Sequence, residues 1–165
     1  MKYLFLFIFF SINAQSQDYF TVIDNELQWQ KVYEVELSED ELRECIKKKV
    51  KFEDLYLNFA SKVGPFNIEC DFSTPIYMRD EFTYYISIEH KPEKYRITVS
   101  NIRLIPSTTI SIFDVRTSES DVSFSSYVVK KNGELKNNRL TKKVINCIDK
   151  KFQNDFNFKK ITSDW

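Results

Sequence analysis

Nucleophilic catalysis of the Ser-His-Asp or Cys-His kind needs an imidazole, and this chain carries one, His90. His90 ends an alternating run, in the even-numbered apolar phase and beside a turn containing Pro92. A partly buried structural ring is the simpler reading. Paired carboxylates are the next option: Glu69 and Asp71 stand two apart in a run that reads as a strand, so both project to one face. Acid–base work requires their pKa values to be pushed apart, and nothing nearby in the sequence predicts the burial that would do it. A solvated strand face is expected. Asp114, Glu119 and Asp121 carry oxygens suited to a hard cation, but they lack the Asp-x-Asp-x-Asp-Gly order of a calcium loop. Cys45, Cys70 and Cys147 fit no zinc or redox spacing. Each falls at an apolar position of its segment, which predicts three small buried core residues, with a single disulfide as the alternative. No catalytic residue, metal ligand or cofactor site is predicted, and the chain is not expected to be an enzyme.

Composition narrows the partners. The 165 residues carry 24 basic and 24 acidic side chains, whereas a phosphate-backbone binder needs an excess of Lys and Arg. No nucleic acid partner is expected. Gly64 and Gly133 are the two glycines of the chain, so no Gly-rich loop can cradle a phosphate through several backbone amides. Fifteen Phe and nine Tyr favour strands, where large rings pack on a pleated surface.

Residues 1–14 read as a secretory signal peptide: Lys2 is the positive start, Tyr3 to Phe10 is an apolar run, and Ser11-Ile12-Asn13-Ala14 ends on a small residue. The run is far shorter than the roughly 20 residues a spanning helix needs, so no membrane span is expected after cleavage. The absence of a cysteine just after the leader argues against lipid attachment. The localisation implied is periplasmic or secreted. Residues 15–26 read as a flexible lead-in, 27–158 as a single domain with a variable segment at 106–139, and 159–165 as a tail. A chain of about 150 residues buries enough surface for one substantial core.

Within that domain, Leu27, Trp29, Tyr33, Val35 and Leu37 alternate with Gln28, Gln30, Glu34 and Glu36, as a strand with one buried face requires. Ser38-Glu39-Asp40-Glu41 has the Ser-x-x-Glu form of a capping box, and Leu42, Cys45, Ile46 and Val50 give the helix it opens an apolar stripe. A first hairpin is predicted by pairing Phe59 with Phe66 across a turn at Ala60 to Pro65. A second pairs Ile88 with Ile97 across His90 to Lys94, which sets Glu89 opposite Arg96 as a favourable charge pair. The apolar phase changes parity near Ser100 and Asn101, predicting a β-bulge. Thr109 to Val115 is a possible strand, and Asn132-Gly133 a hairpin signal after Tyr127-Val128-Val129. Leu140, Val144, Ile148, Phe152 and Phe156 step by four along a closing helix.

The resulting fold class is α+β: a curved, mainly antiparallel sheet with two helices on one face, in β-α-β4-α order, leaving the other face open. Two segments, Trp29 to Val35 running into the capped helix and Phe82 to Ile102 with its Lys94-Tyr95-Arg96-Ile97 strand, resemble a family of exported Bacteroidetes domains of unknown function. That family has a TATA-binding-protein-like fold, and the resemblance covers roughly residues 27 to 105. It departs at Lys91-Pro92-Glu93-Lys94, which has no glycine. The resemblance implies the same β-α-β4-α order and no catalytic residues.

The open face is expected to show Gln28, Gln30, Val32, Glu34, Tyr85, Ser87, Glu89, Arg96 and Thr98. Tyr and Arg combine broad contact area with hydrogen bonding, so Tyr85 and Arg96 are the candidate partner contacts. The function expected is binding of an envelope protein or surface polymer. The alternative is a small-ligand carrier with an aromatic-lined pocket between helices and sheet, drawn from Phe59, Phe66, Tyr84 and Phe152, residues that fill a core equally well.

Overall fold

The computed structural model describes residues 19–35, 37–49, 60–106 and 121–158. The leader, the 55–59 arm of the first predicted hairpin, the possible strand at 109–115 and the tail lie outside them. Strands β1 (Phe20–Ile23) and β2 (Glu26–Glu34) precede helix α1 (Glu39–Lys49), followed by β3 (Ala60–Phe66) and a 3-10 turn at Ile76–Arg79. Then come β4 (Glu81–Lys91), β5 (Lys94–Ile105), β6 (Val122–Ser123), the one-turn helix α2 (Ser125–Val128) and α3 (Arg139–Phe156). The strands form one antiparallel sheet in the order β1-β2-β5-β4-β3, with β6 beside β5. The architecture is α+β. From β2 to α3 it follows the expected β-α-β4-α order, with β1 added in front and α2 inserted.

The β4–β5 hairpin has the expected register, Ile88 opposite Ile97 and Glu89 opposite Arg96. Its turn is tighter than expected: the ladder runs on to Lys91 opposite Lys94, leaving Pro92 and Glu93, with Glu93 at φ 66. The parity change is a bulge, since Tyr85 pairs with Ser100 but Thr83 with Arg103. Asn101 takes φ 48 there, and Ile102 and Leu104 return to the core. The capping box forms: the Ser38 amide donates to Glu41 Oε2 at 2.8 Å and the Glu41 amide to Ser38 Oγ at 3.3 Å. Leu42, Cys45 and Ile46 are buried as the stripe requires.

Four sequence readings are corrected. The predicted turn at Ala60 to Pro65 is instead strand β3, paired with β4 from Ala60 opposite Ser87 to Phe66 opposite Phe82. The Gly-Pro step looked like a turn but is a bulge between Val63 and Phe66. Gly64 sits there at φ 113, and a Cβ on it would lie 2.5 Å from the Phe82 carbonyl oxygen. Pro65 costs the ladder one donor, which a strand at the end of the sheet order tolerates. The 67–72 stretch is no strand: Ile68 is buried and Cys70 and Phe72 pack on the core, but nothing pairs with it as a ladder in the described residues.

The second correction concerns the cysteines. Cys70 and Cys147 are joined in a disulfide that clips the 67–72 stretch to α3, and Cys45 alone is a buried thiol of α1. Third, residues 20–26 are no flexible lead-in. Phe20 to Ile23 pairs with β2 through a two-residue turn in which Asp24 and Asn25 adopt φ 52 and 62, a left-handed pair of the kind that matches strand twist. Fourth, Leu140 is exposed, and the stripe of α3 begins at Thr141. Asn138 caps this helix, accepting from the Thr141 amide at 2.8 Å. The Asn132-Gly133 turn is present, but it joins α2 to a single bridge between Val129 and Leu135.

The core lies between one sheet face and the helices. Phe152 and Phe156 of α3 meet Trp29 at 5.4 and 5.8 Å between ring centroids, edge-on or tilted as ring quadrupoles favour. The Trp29 indole donates to Asp149 at 2.7 Å, and the Tyr95 hydroxyl donates to the Phe156 carbonyl at 2.7 Å. These bonds join α3 to β2 and β5. On the same face the chain leading into α1 is held by His90, whose Nε2 lies 2.8 Å from the Leu37 carbonyl.

Candidate functional site: the open sheet face

Because side chains alternate along a strand, every residue that buries its neighbours beneath the helices sends the next one outward. The outward residues line up in rows across β2, β5 and β4. Ser100 and Tyr85 form one row, with Gln28 lining a depression beside Ser100; Gln30, Thr98 and Ser87 form the next; then Val32, Arg96 and Glu89; and last Glu34, Lys94 and Lys91. Gln30 donates to Thr98 Oγ1 at 3.0 Å. The Arg96 guanidinium grips Glu89 twice, Nε to Oε1 at 3.1 Å and Nη2 to Oε2. Both partners are solvent-exposed, so the pair orients Arg96 more than it stabilises the fold.

Tyr85 is 48% exposed on a strand paired on both sides. The structure therefore places Tyr85 and Arg96 on one face, as expected. It does not bring them together: Tyr85 sits opposite Ser100 and Arg96 opposite Glu89, a separation of about 13 Å along the sheet. Each belongs to its own depression. The first, about 210 Å³, is lined by Val32, Glu89, Lys91, Lys94, Tyr95 and Arg96 at the hairpin tip. The second, about 180 Å³, is lined by Lys62, Thr83, Tyr85, Asn101, Arg103 and Asp121 where the two bulges flank β4.

Lys91 and Lys94 are hidden in the sequence, where Pro92 draws the turn out to His90 to Lys94. Extending the Ile88–Ile97 register by three pairs would have found them. Like charges directly opposite one another destabilise a ladder, and among the described residues neither lysine has an ion pair.

The other candidates end in structural roles. His90 faces the core side and is engaged by the Leu37 carbonyl. Glu69 and Asp71 lie outside any strand and are exposed. Asp114 and Glu119 lie outside the described residues, and Asp121 is exposed beside the second depression. Among the described residues no group of three or more His, Cys, Asp or Glu could hold a metal. Of the proposed pocket rings, Phe59 lies outside the described residues. Phe66 meets Tyr84 at 5.2 Å and Tyr84 meets Phe152 at 5.3 Å, rings packed on rings.

Burial dominates the raised pKa values of the tyrosines. It pushes the Tyr95 hydroxyl up to about 12, against the Phe158 amide that donates to it at 2.9 Å. Tyr33 and Tyr84 are pushed higher still, first by burial, then by Tyr95 and Asp149 at Tyr33 and by Asp155 at Tyr84. Tyr33 stacks on Tyr95 at 5.0 Å, and its hydroxyl finds no hydrogen-bond partner among the described residues. Beside it Lys31 donates to Gln153, which donates to Asp149, the acceptor of Trp29. This chain locks α3 onto β2.

No family model and no curated protein matches the sequence. Among solved structures, the chain is similar to a DUF4468 family protein from Bacteroides ovatus. The two share 15% identity over 90% of this chain and 98% of that one, at a TM-score of 0.48. It is also similar to a TBP-like protein from Parabacteroides distasonis, at 13% identity over 80% of this chain and 88% of the other, with a TM-score of 0.43. Both scores lie below 0.5, and the fold stands on its own sheet order and register.

Proposed function

We propose that this protein is an exported, non-enzymatic domain that holds a macromolecular partner or surface polymer of the cell envelope on its open sheet face. The observation that carries the reading is Tyr85: a large ring 48% exposed on a strand paired on both sides, with no helix role to explain it. Exposed Tyr on a rigid element is a common anchor for partners. The oriented Arg96 guanidinium and the amide and hydroxyl rows supply hydrogen-bonding groups around it. Export is supported by the leader-like residues 1–14 and by the Cys70–Cys147 disulfide, a bond that persists in oxidising compartments. The non-enzymatic reading is supported by the structural engagement of His90 and the exposure of Glu69 and Asp71 outside any strand.

Pull-downs from envelope extracts with the wild type and a Tyr85→Ala, Arg96→Ala double variant test the reading. Loss of a partner from the variant is the expected result, and identical partner lists reject this face. Fractionation with determination of the mature N-terminus tests export. Recovery of full-length protein inside the cell, with no processed form, rejects it.

A further inference from the structure

We propose that the depression at the β4–β5 tip is an anion-binding site, and that the polymer held on the open face is an acidic polysaccharide whose carboxylate or sulfate groups seat there. This deepens the open-face reading and rests on it.

Three cations, Lys91, Lys94 and Arg96, line the depression with one carboxylate, Glu89. That carboxylate is already bound to Arg96. Lys91 and Lys94 face each other across the ladder, with no ion pair among the described residues. The two like charges disfavour the ladder, Glu34 opposite Lys94 on β2 offsets them in part, and an anion beside Lys91 relieves the rest. Glu34 and Glu93 line a neighbouring depression with Lys94, Glu34 as its direct partner on β2. The positive field is therefore local, sized for single anionic groups rather than for a continuous phosphate backbone.

Two features favour a polysaccharide over an acidic protein. The exposed large apolar side chains of this face, Ile23, Val32 and Tyr85, are scattered over different rows and make no contiguous apolar centre of the kind protein interfaces bury. Between the depressions run Gln28, Gln30, Ser87, Thr98 and Ser100, groups that both donate and accept and so suit a hydroxyl-rich repeating chain. From the Lys91 row to the Tyr85 row is about 20 Å, long enough for an extended polymer and too long for one small molecule.

The test measures binding of the oxidised protein to polygalacturonate, neutral dextran and poly-L-glutamate at low and high salt, together with melting temperature. The wild type is expected to prefer polygalacturonate, with affinity falling as salt screens the exposed charges. A Lys91→Gln, Lys94→Gln double variant should lose roughly tenfold or more in affinity without a lower melting temperature. Lys91→Glu should lose as much while melting no lower than wild type, because it then faces the opposite charge of Lys94. A decoupling of binding from stability in that direction is not what a purely structural lysine pair would give. Unchanged polygalacturonate affinity in the lysine variants, or no binding by the wild type, overturns the anion site. Equal affinity for dextran overturns the acidic requirement. Tighter binding of poly-L-glutamate overturns the polysaccharide. If Tyr85→Ala abolishes polygalacturonate binding and the lysine variants do not, the open-face reading stands and the anion site falls. If neither changes it, both fall.

Discussion

The two faces of the sheet are made by the same strands, one residue apart in phase, and they differ in every physical respect. On the helix side Trp29, Phe82, Tyr95, Phe152 and Phe156 are essentially removed from solvent, and hydrogen bonds join β2 and β5 to α3. On the other side Tyr85, Val32 and the Arg96–Glu89 pair remain exposed, and two depressions open at opposite ends. Stability resides on the first face, and the proposed recognition belongs to the second. A mutation on one side should therefore leave the other side's property nearly untouched.

Phe152→Ala tests the closed face most severely. It removes a fully buried ring in contact with Trp29, Tyr84 and Phe156, and a loss of about 3–5 kcal/mol is expected in denaturant unfolding. A loss below about 1 kcal/mol, the level of an ordinary surface-to-core average, would mean that this layer is loosely packed. Replacing Cys70 and Cys147 by Ser opens a closure spanning 77 residues and should cost about 4 kcal/mol or somewhat less. Limited proteolysis is expected to cut first within 67–72. Unchanged stability would show that Ile68 and Phe72 hold that stretch unaided.

Alkaline titration probes the closed face more gently. The folded protein holds the Tyr95 proton more tightly than the unfolded chain, whose phenol titrates near 10. Stability from this group is thus full below pH 10 and is lost as pH rises through 10 toward 12. Tyr95→Phe should flatten that fall in melting temperature, and an equally steep fall would assign it to other groups. The smallest effect is expected on the open face: Tyr85→Ala should change stability by less than about 0.5 kcal/mol while removing partner binding. A large destabilisation there would erase the distinction between the faces.

Much of this was legible locally. The parity of β4 and β5 placed Tyr85 and Arg96 on one face and set Glu89 against Arg96, because a register slip would turn every apolar side chain outward. The capping box was legible because its partners stand three residues apart. β1 escaped notice because four residues give too short an alternation, and its Asp24-Asn25 turn lacks the usual glycine. β3 reads as a turn in the sequence because Gly64-Pro65 signals punctuation, and only the Phe82 carbonyl pressing on Gly64 reveals a bulge. The separation of Tyr85 from Arg96 into two depressions depended on the paired bulges, which set the shape of the surface rather than its polarity.

The sequence by itself determined the α+β class, the inward and outward phase of the central strands and the identity of the outward residues, since these follow from periods of two and of three to four along the chain. Only the tertiary structure decided that Cys70 meets Cys147, that β1 completes the sheet and that Lys91 confronts Lys94 beside Arg96. These depend on which distant segments the shared core draws together, and burial of apolar surface is non-directional: it demands contact without naming the partner.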